Sequence, residues 1–215
     1  MQLNEKEIQR IINNTDARLG EELAGVRVIL ASKSPRRRQL IAALVRDFEV
    51  MSAEADESLP EGMHPSLGVE VLAVRKGRAV ADIVGENALI VSSDTLVELD
   101  GEPLGKPGSR EDALGMLRRM QGREHHVHTG IAVHYRGRVL SAVESAVVRF
   151  REASEDELWQ YVLGGEPMDK AGAYGIQGEG GKFVLGYEGG FDTIMGLSVE
   201  LCEKLIRKAL MEVIE

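Results

Sequence analysis

The stretch VRVILASKSPRRRQLIAALV (26–45) decides how this chain folds. Its first six residues are apolar except for Arg27 and rich in β-branched side chains, as in a short buried strand. Ser34 then stands at a helix cap position and Pro35 at the first helical residue, where a missing N–H costs nothing. Leu40, Ile41 and Leu44 repeat at helical spacing behind them. The unit reads as strand, tight turn, helix.

Upstream, residues 2–24 are polar with Ile8, Ile11, Ile12 and Leu19 at helical spacing, which predicts an N-terminal helical extension (1–24) outside the main domain (25–215). Downstream, a strand is expected near 48–51 and a helix over 66–83, carrying Lys76. ALIVSSDTLVEL (88–99) reads as a strand ending at the turn pair Asp100 and Gly101. Ser109 and Asp112 are spaced like a capping box before a helix reaching Met120. Two long antiparallel strands follow, 125–135 and 138–150, joined at Arg136 and Gly137. Ser154 and Glu157 cap another helix. A glycine-rich loop (164–181), a strand near 182–187 and a helix from Ser198 complete the chain. Alternating elements early and hairpins late predict an α/β fold with a mixed sheet.

The chain has 215 residues, 26 basic against 35 acidic, for a net charge of −9. Such acidity argues against stable nucleic-acid binding, which calls for a basic face. No apolar run approaches the roughly 20 residues that span a bilayer, so no membrane association is expected. MQLNEKEIQRII lacks the apolar core of a secretory signal. The lone Cys202 forms no intrachain disulfide and falls in an apolar helical pattern, as a core residue does. These features predict a cytoplasmic protein.

Three clusters carry candidate chemistry. In SKSPRRR (32–38), the hydroxyls of Ser32 and Ser34, the first-turn amides and the guanidinium groups of Arg36 and Arg37 suit a bound phosphate. The bland alternative is a capped helix with a solvated basic turn, but cations there oppose the helix dipole unless an anion is bound. In the second cluster, Asp94 lies within an apolar strand, where a carboxylate is costly unless it meets a cation or transfers protons. It reads as a metal ligand, a general base, or a residue at a water-exposed strand end. Lys106 either returns to the same mouth or is a surface lysine. The third cluster, DKAGAYGIQGEGGKFV (169–184), has glycines that allow close ligand approach and a base-reading amide at Gln177; a flexible surface loop is equally compatible. His126 and His128 share a strand face but find no third metal ligand at suitable spacing. Trp159 and Tyr161 read as packing. Phosphate-ester or anhydride hydrolysis follows as a reaction class.

LASKSPRRRQL (30–40), SDTLVELDGEPLGKP (93–107) and EPMDKAGAYGIQGEGG (166–181) resemble, in order and spacing, three signature blocks of the Maf family of nucleoside triphosphate pyrophosphatases. The resemblance implies an elongated, twisted mixed sheet with flanking helices and a deep substrate cleft, like inosine triphosphatase-like enzymes, and commonly a homodimer. It implies hydrolysis of a nucleoside triphosphate to the monophosphate and pyrophosphate with a divalent metal, Mg²⁺ or Mn²⁺. Asp94 matches the proton acceptor. Ser32, Arg36, Arg37, Lys76 and Lys106 match positions holding the phosphates or reacting centre, and Glu57 one that assists the metal alongside Asp94. Arg36, Thr95 and Gln177 match positions tied to substrate choice, and the subgroup resembles the branch acting on dTTP and UTP in nucleotide house-cleaning. A non-catalytic nucleotide-binding regulator of septum formation is the alternative. In GGFDTIMGLSVE (189–200), Thr193 and Ser198 stand where the family usually has Asn and Pro. That bears on base or sugar contacts more than on the reaction, and Ser198 is expected to cap the last helix.

Overall fold

The apolar run after Gly25 folds as strand β1 (Arg27–Leu30) and the basic stretch behind it as helix α1 (Pro35–Ile41), in a computed structural model that describes residues 17–211. Ser34 caps α1, accepting from the Arg37 N–H at 3.5 Å, with Pro35 at its first position. β2 (Glu49–Val50) and α2 (Pro65–Val84) follow. The His64 side chain caps α2 by accepting from the Ser66 N–H at 3.3 Å. β3 (Ala88–Leu99) and β4 (Glu102–Leu104) form a hairpin, then α3 (Arg110–Met120), the long pair β5 (Glu124–Tyr135) and β6 (Arg138–Phe150), and α4 (Glu155–Leu163).

Both expected hairpins turn through two left-handed residues, with φ of 58° and 82° at Asp100 and Gly101 and 49° and 77° at Arg136 and Gly137. This is the turn whose twist matches that of the flanking strands. Ser109 and Ser154 cap α3 and α4 by accepting from the N–H groups of Asp112 and Glu157. The glycine-rich stretch contains three 3₁₀ turns, Glu166–Asp169, Ala171–Ala173 and Glu179–Phe183. The Glu166 carboxylate ties it together, accepting from Tyr161 Oη at 3.0 Å, the Glu179 N–H at 2.8 Å and the Gly180 N–H at 3.2 Å. β7 (Val184–Glu188), a short α5 (Phe191–Met195) with no counterpart in the sequence reading, and α6 (Val199–Met211) end the described chain.

Of the helix expected over 2–24, residues 1–16 lie outside the described part, and residues 18–25 form turns instead. The Arg18 and Leu19 N–H groups bond to the carbonyls of Ala43 and Leu44, behind α1, rather than continuing a helical ladder. Leu19 and Leu23 are buried in the main core, so this described part is packed on the body of the protein.

One sheet takes in all seven strands, in the order β2-β1-β3-β5-β6-β7 with β4 pairing β3. β1 runs parallel to β2 and β3, while β3, β5, β6 and β7 are antiparallel to their neighbours, the mixed sheet expected. α2 lies across β3, β5 and β6 on one face. On the other, α6 packs over β5 and β6, and Cys202 is buried there as expected, its thiol pushed up to about 12 by burial. No helix among the described residues is long and apolar enough to cross a membrane.

The registers leave a gap in this sheet. β5 pairs with one edge of β3, while the other edge pairs with β1 as far as Val91 and with β4 from Val97. Residues 92–96 have no strand partner on that side among the described residues, and Asp94 and Thr95 lie in the middle of the gap.

Candidate active site

α2 is seated on the sheet more closely than side chains usually allow. Gly130, directly opposite Asp94 in the β3–β5 register, has the α2 backbone at Val69 and Glu70 where a Cβ would be. A Cβ on Gly77 would collide with His134 Nε2 and come within 2.6 Å of Ser92 Oγ. Ser92 Oγ in turn donates to the Ala73 carbonyl at 2.7 Å, fixing strand to helix. This close approach brings Lys76 to the gap, where its Nζ makes a short ion pair with Asp94 Oδ1 and a second, at 2.8 Å, with Glu57 Oε1. The two expected metal carboxylates therefore converge on one ammonium. Asp94 is only 10% exposed at its side chain, and Lys76 is the cation that makes its burial tolerable. The Lys76 and Lys106 charges hold the Glu57 carboxyl below its ordinary range, the Lys76 hydrogen bond contributing most.

On the opposite side of β3, Arg37 closes the gap. Its Nε donates to the Gly196 carbonyl at 2.9 Å, Nη1 to Ser32 Oγ at 3.4 Å and Nη2 to Thr95 Oγ1 at 3.1 Å. The direction of the chain beyond is fixed by its end. Thr129 Oγ1 donates to the Thr193 carbonyl at 2.8 Å, so it accepts from Thr95 Oγ1 at 2.9 Å, which in turn accepts from Arg37. Burial pushes the Arg37 guanidinium below its usual value while the Asp94 charge opposes the shift.

Arg37, Glu57, Lys76, Asp94 and Thr95 line a cavity of about 530 Å³ together with Ser34, Arg36, Lys106 and apolar side chains that include Leu59, Leu72, Leu96, Val127, Ile194 and Met195. Lys106 thus returns to the cavity mouth while staying exposed to solvent there, and Arg36 reaches the same space. Ser32 is buried beneath it, bonded to the Ser34 N–H at 3.2 Å and to Arg37. Gln177 is exposed and outside the lining, which the third block supplies through Asp169, Lys170, Ala171, Tyr174, Gly175 and Ile176. Asp169 and Lys170 were not singled out in the sequence, although they open the block that was. Neither was Thr129, whose place opposite Thr95 is a matter of register.

The weaker candidates resolve as structure. His128 is held by Ser145 Oγ at 2.6 Å and Glu98 Oε2 at 2.7 Å, with the His126 ring stacked on it. Among the described residues no group of three or more His, Cys, Asp or Glu gathers to hold a metal. Tyr161 is buried and Trp159 packs against the core. Ser198 caps α6, accepting from the Leu201 N–H at 3.3 Å, as its position predicted. Thr193 is buried with its Oγ1 unpartnered among the described residues.

The Maf-like protein family matches residues 27–209. The dTTP/UTP pyrophosphatase of Pelotomaculum thermopropionicum is 44% identical, over 84% of this chain and 95% of its own. Those of Thermococcus kodakarensis and Dechloromonas aromatica are 41% and 42% identical, each over 83% of this chain and 94% of theirs. Among solved structures, the Staphylococcus aureus Ham1 protein overlaps 88% of this chain and 100% of its own at a TM-score of 0.48 and 15% identity. The family match begins at the first residue of β1 and ends inside α6, taking in the whole sheet and every residue around the cavity: this chain belongs to the Maf family.

Proposed function

We propose that this protein hydrolyses nucleoside triphosphates between the α and β phosphates, with dTTP and UTP as the preferred substrates, and so clears nucleotides from the pool. One observation carries the reading. On a chain of net charge −9, the cavity gathers five cations, Arg36, Arg37, Lys76, Lys106 and Lys170, against three carboxylates, Glu57, Asp94 and Asp169. A cleft that reverses the sign of the whole molecule is suited to a polyanion. The pyrimidine preference is supported by the dTTP/UTP pyrophosphatase relatives.

In this reading the α phosphate lies over the sheet gap, against Arg37 and Lys76, and Lys106 meets the leaving pyrophosphate. Lys76 occupies Asp94 Oδ1, which leaves acceptor capacity on Oδ2 for a water. Asp94 orients that water and takes its proton as the oxygen bonds to the α phosphorus. The bond to the bridging oxygen breaks, and its electron pair leaves with pyrophosphate. The Arg37–Thr95–Thr129 chain holds the guanidinium in place beforehand, so little reorganisation accompanies the charge shift. Asp94 and Glu57, two carboxylates in one cleft, would hold a Mg²⁺ or Mn²⁺ ion. Bound there, such an ion would neutralise charge on the phosphates. The same reading includes a homodimer in the cytoplasm, which light scattering and cell fractionation check.

Pyrophosphate release from dTTP, UTP, CTP, ATP and GTP, with Mg²⁺, Mn²⁺ or EDTA, tests the proposal. Metal-dependent release led by dTTP and UTP is expected. No release from folded, nucleotide-binding protein would leave only the non-catalytic regulator.

A further inference from the structure

The charges around the cavity fall into two groups. Lys76 and Lys106 act on Glu57, while Lys170 and Arg36 act on Asp169. The first group contains Asp94 and the expected chemistry. The hydrolytic step itself uses neither Asp169 nor Lys170, yet the second group is built with care. Lys170 is only 13% exposed at its side chain, and its Nζ is held by the Glu166 carbonyl at 2.8 Å and by Asp169 Oδ1 at 2.7 Å. Its stem rests against Gly175, where an added Cβ would come within 2.7 Å of Lys170 Cε. Asp169, 79% exposed, stands at the cavity mouth. Arg36 lines the same cavity and its side chain makes no hydrogen bond to the described residues, so its guanidinium donors remain open.

We propose that Asp169, flanked by Lys170 and Arg36, reads the imide edge of the substrate base and makes this site select uracil and thymine over cytosine. The inference rests on the pyrophosphatase reading above and specifies its substrate. Lysine and arginine are donors only, and an ionised carboxylate is an acceptor only. The trio therefore presents donor, acceptor, donor. Uracil and thymine present O2, N3–H and O4, which are acceptor, donor, acceptor, the complement of that order. Cytosine presents a lone pair at N3, which would face the Asp169 carboxylate with nothing to share, and a donor amine toward a cation. The carboxylate rejects the wrong base as well as accepting the right one.

The test compares kcat/KM for UTP, CTP and N3-methyl-UTP in the wild type and in Asp169→Asn, a near-isosteric change at an exposed site. Exchanging the charged acceptor for a neutral amide oxygen weakens the hydrogen bond from N3–H and lowers UTP turnover about tenfold. An amide can also donate to cytosine N3, so CTP is spared and the UTP-to-CTP ratio narrows by about tenfold or more. N3-methyl-UTP is expected to be a poor wild-type substrate that loses nothing further in the variant. A merely structural role for Asp169 would lower UTP and CTP together and leave the ratio unmoved, which overturns the proposal. Wild-type turnover of N3-methyl-UTP equal to that of UTP overturns it as well. If the wild type releases no pyrophosphate from any substrate, the hydrolytic reading falls. Equilibrium binding of UTP against CTP to the two proteins then still decides the base subsite.

Discussion

Replacing Gly77 by alanine perturbs the seat of α2 one residue from Lys76. In an unobstructed helix the change would stabilise by about 1 kcal/mol, because alanine is the better helix former. Gly115, in α3, is such a place, with no atom within 4 Å of an added Cβ. At Gly77 the new methyl would stand 2.6 Å from Ser92 Oγ, where ordinary contact begins at 3.4 Å, so helix and sheet must part by at least about 0.8 Å, and the nearer His134 ring demands more. Neither obstacle can swing away, since Ser92 is fully buried and His134 is 5% exposed. Such overpacking costs about 1–3 kcal/mol, which cancels or exceeds the propensity gain. For a chain of this size each kcal/mol moves Tm by about 2–4 °C. The larger effect falls on turnover. A displacement of about 1 Å at a catalytic group can cost about 10²-fold, and lifting α2 withdraws Lys76 from Asp94. Urea unfolding followed by circular dichroism, with steady-state UTP hydrolysis, measures both quantities for Gly77→Ala and Gly115→Ala. Gly115→Ala should be more stable than the wild type and fully active; Gly77→Ala should be no more stable and about 10²-fold slower. If the two variants match in stability and turnover, α2 is not held by this contact and the account of Lys76 positioning is wrong.

Asp94→Asn keeps the size of the side chain but removes its charge and its capacity to take a proton; turnover should vanish while the unfolding transition stays cooperative, and retained pyrophosphate release would remove Asp94 from the chemistry. His125 is buried against Tyr174 and Phe150, and burial lowers its pKa from 6.5 to about 3. The unfolded chain therefore binds a proton at this residue before the folded one does, so its contribution is fully present above pH 6.5 and is lost progressively as pH falls toward 3. His125→Phe should flatten the fall in stability across that window, as measured by urea midpoints at several pH values, and an unchanged slope would assign the loss to other groups.

Local chemistry in the sequence foretold local structure. Ser34 and Pro35 start α1, Asp100 with Gly101 and Arg136 with Gly137 turn the hairpins, and Ser109 and Ser154 cap their helices, each because neighbouring residues satisfy the backbone unaided. What escaped the reading depends on partners distant in sequence. Lys76 meets Asp94 because Gly130, on a third element, lets the helix approach. Thr129 joins the site through strand register. In the turns at 18–25, Arg18 and Leu19 are tied by hydrogen bonds to the chain behind α1, a contact that local spacing does not foretell. Gln177 carries an amide suited to a base, but the turns fixed by Glu166 leave it exposed and direct Asp169 and Lys170 to the cavity instead.

The gap in the sheet also bears on how the molecule avoids joining its own kind. An exposed strand edge is a template on which another chain can add, and proteins ordinarily shorten it, charge it or cover it. Here β1 and β4 stop the opening at either end, and only residues 92–96 are left between them. An incoming strand longer than about 5 residues would run into one or the other. At the centre of that interval stands the charge of Asp94, held by Lys76. The interval is thus short, charged and covered by Arg37, so neighbouring copies are kept from pairing through it.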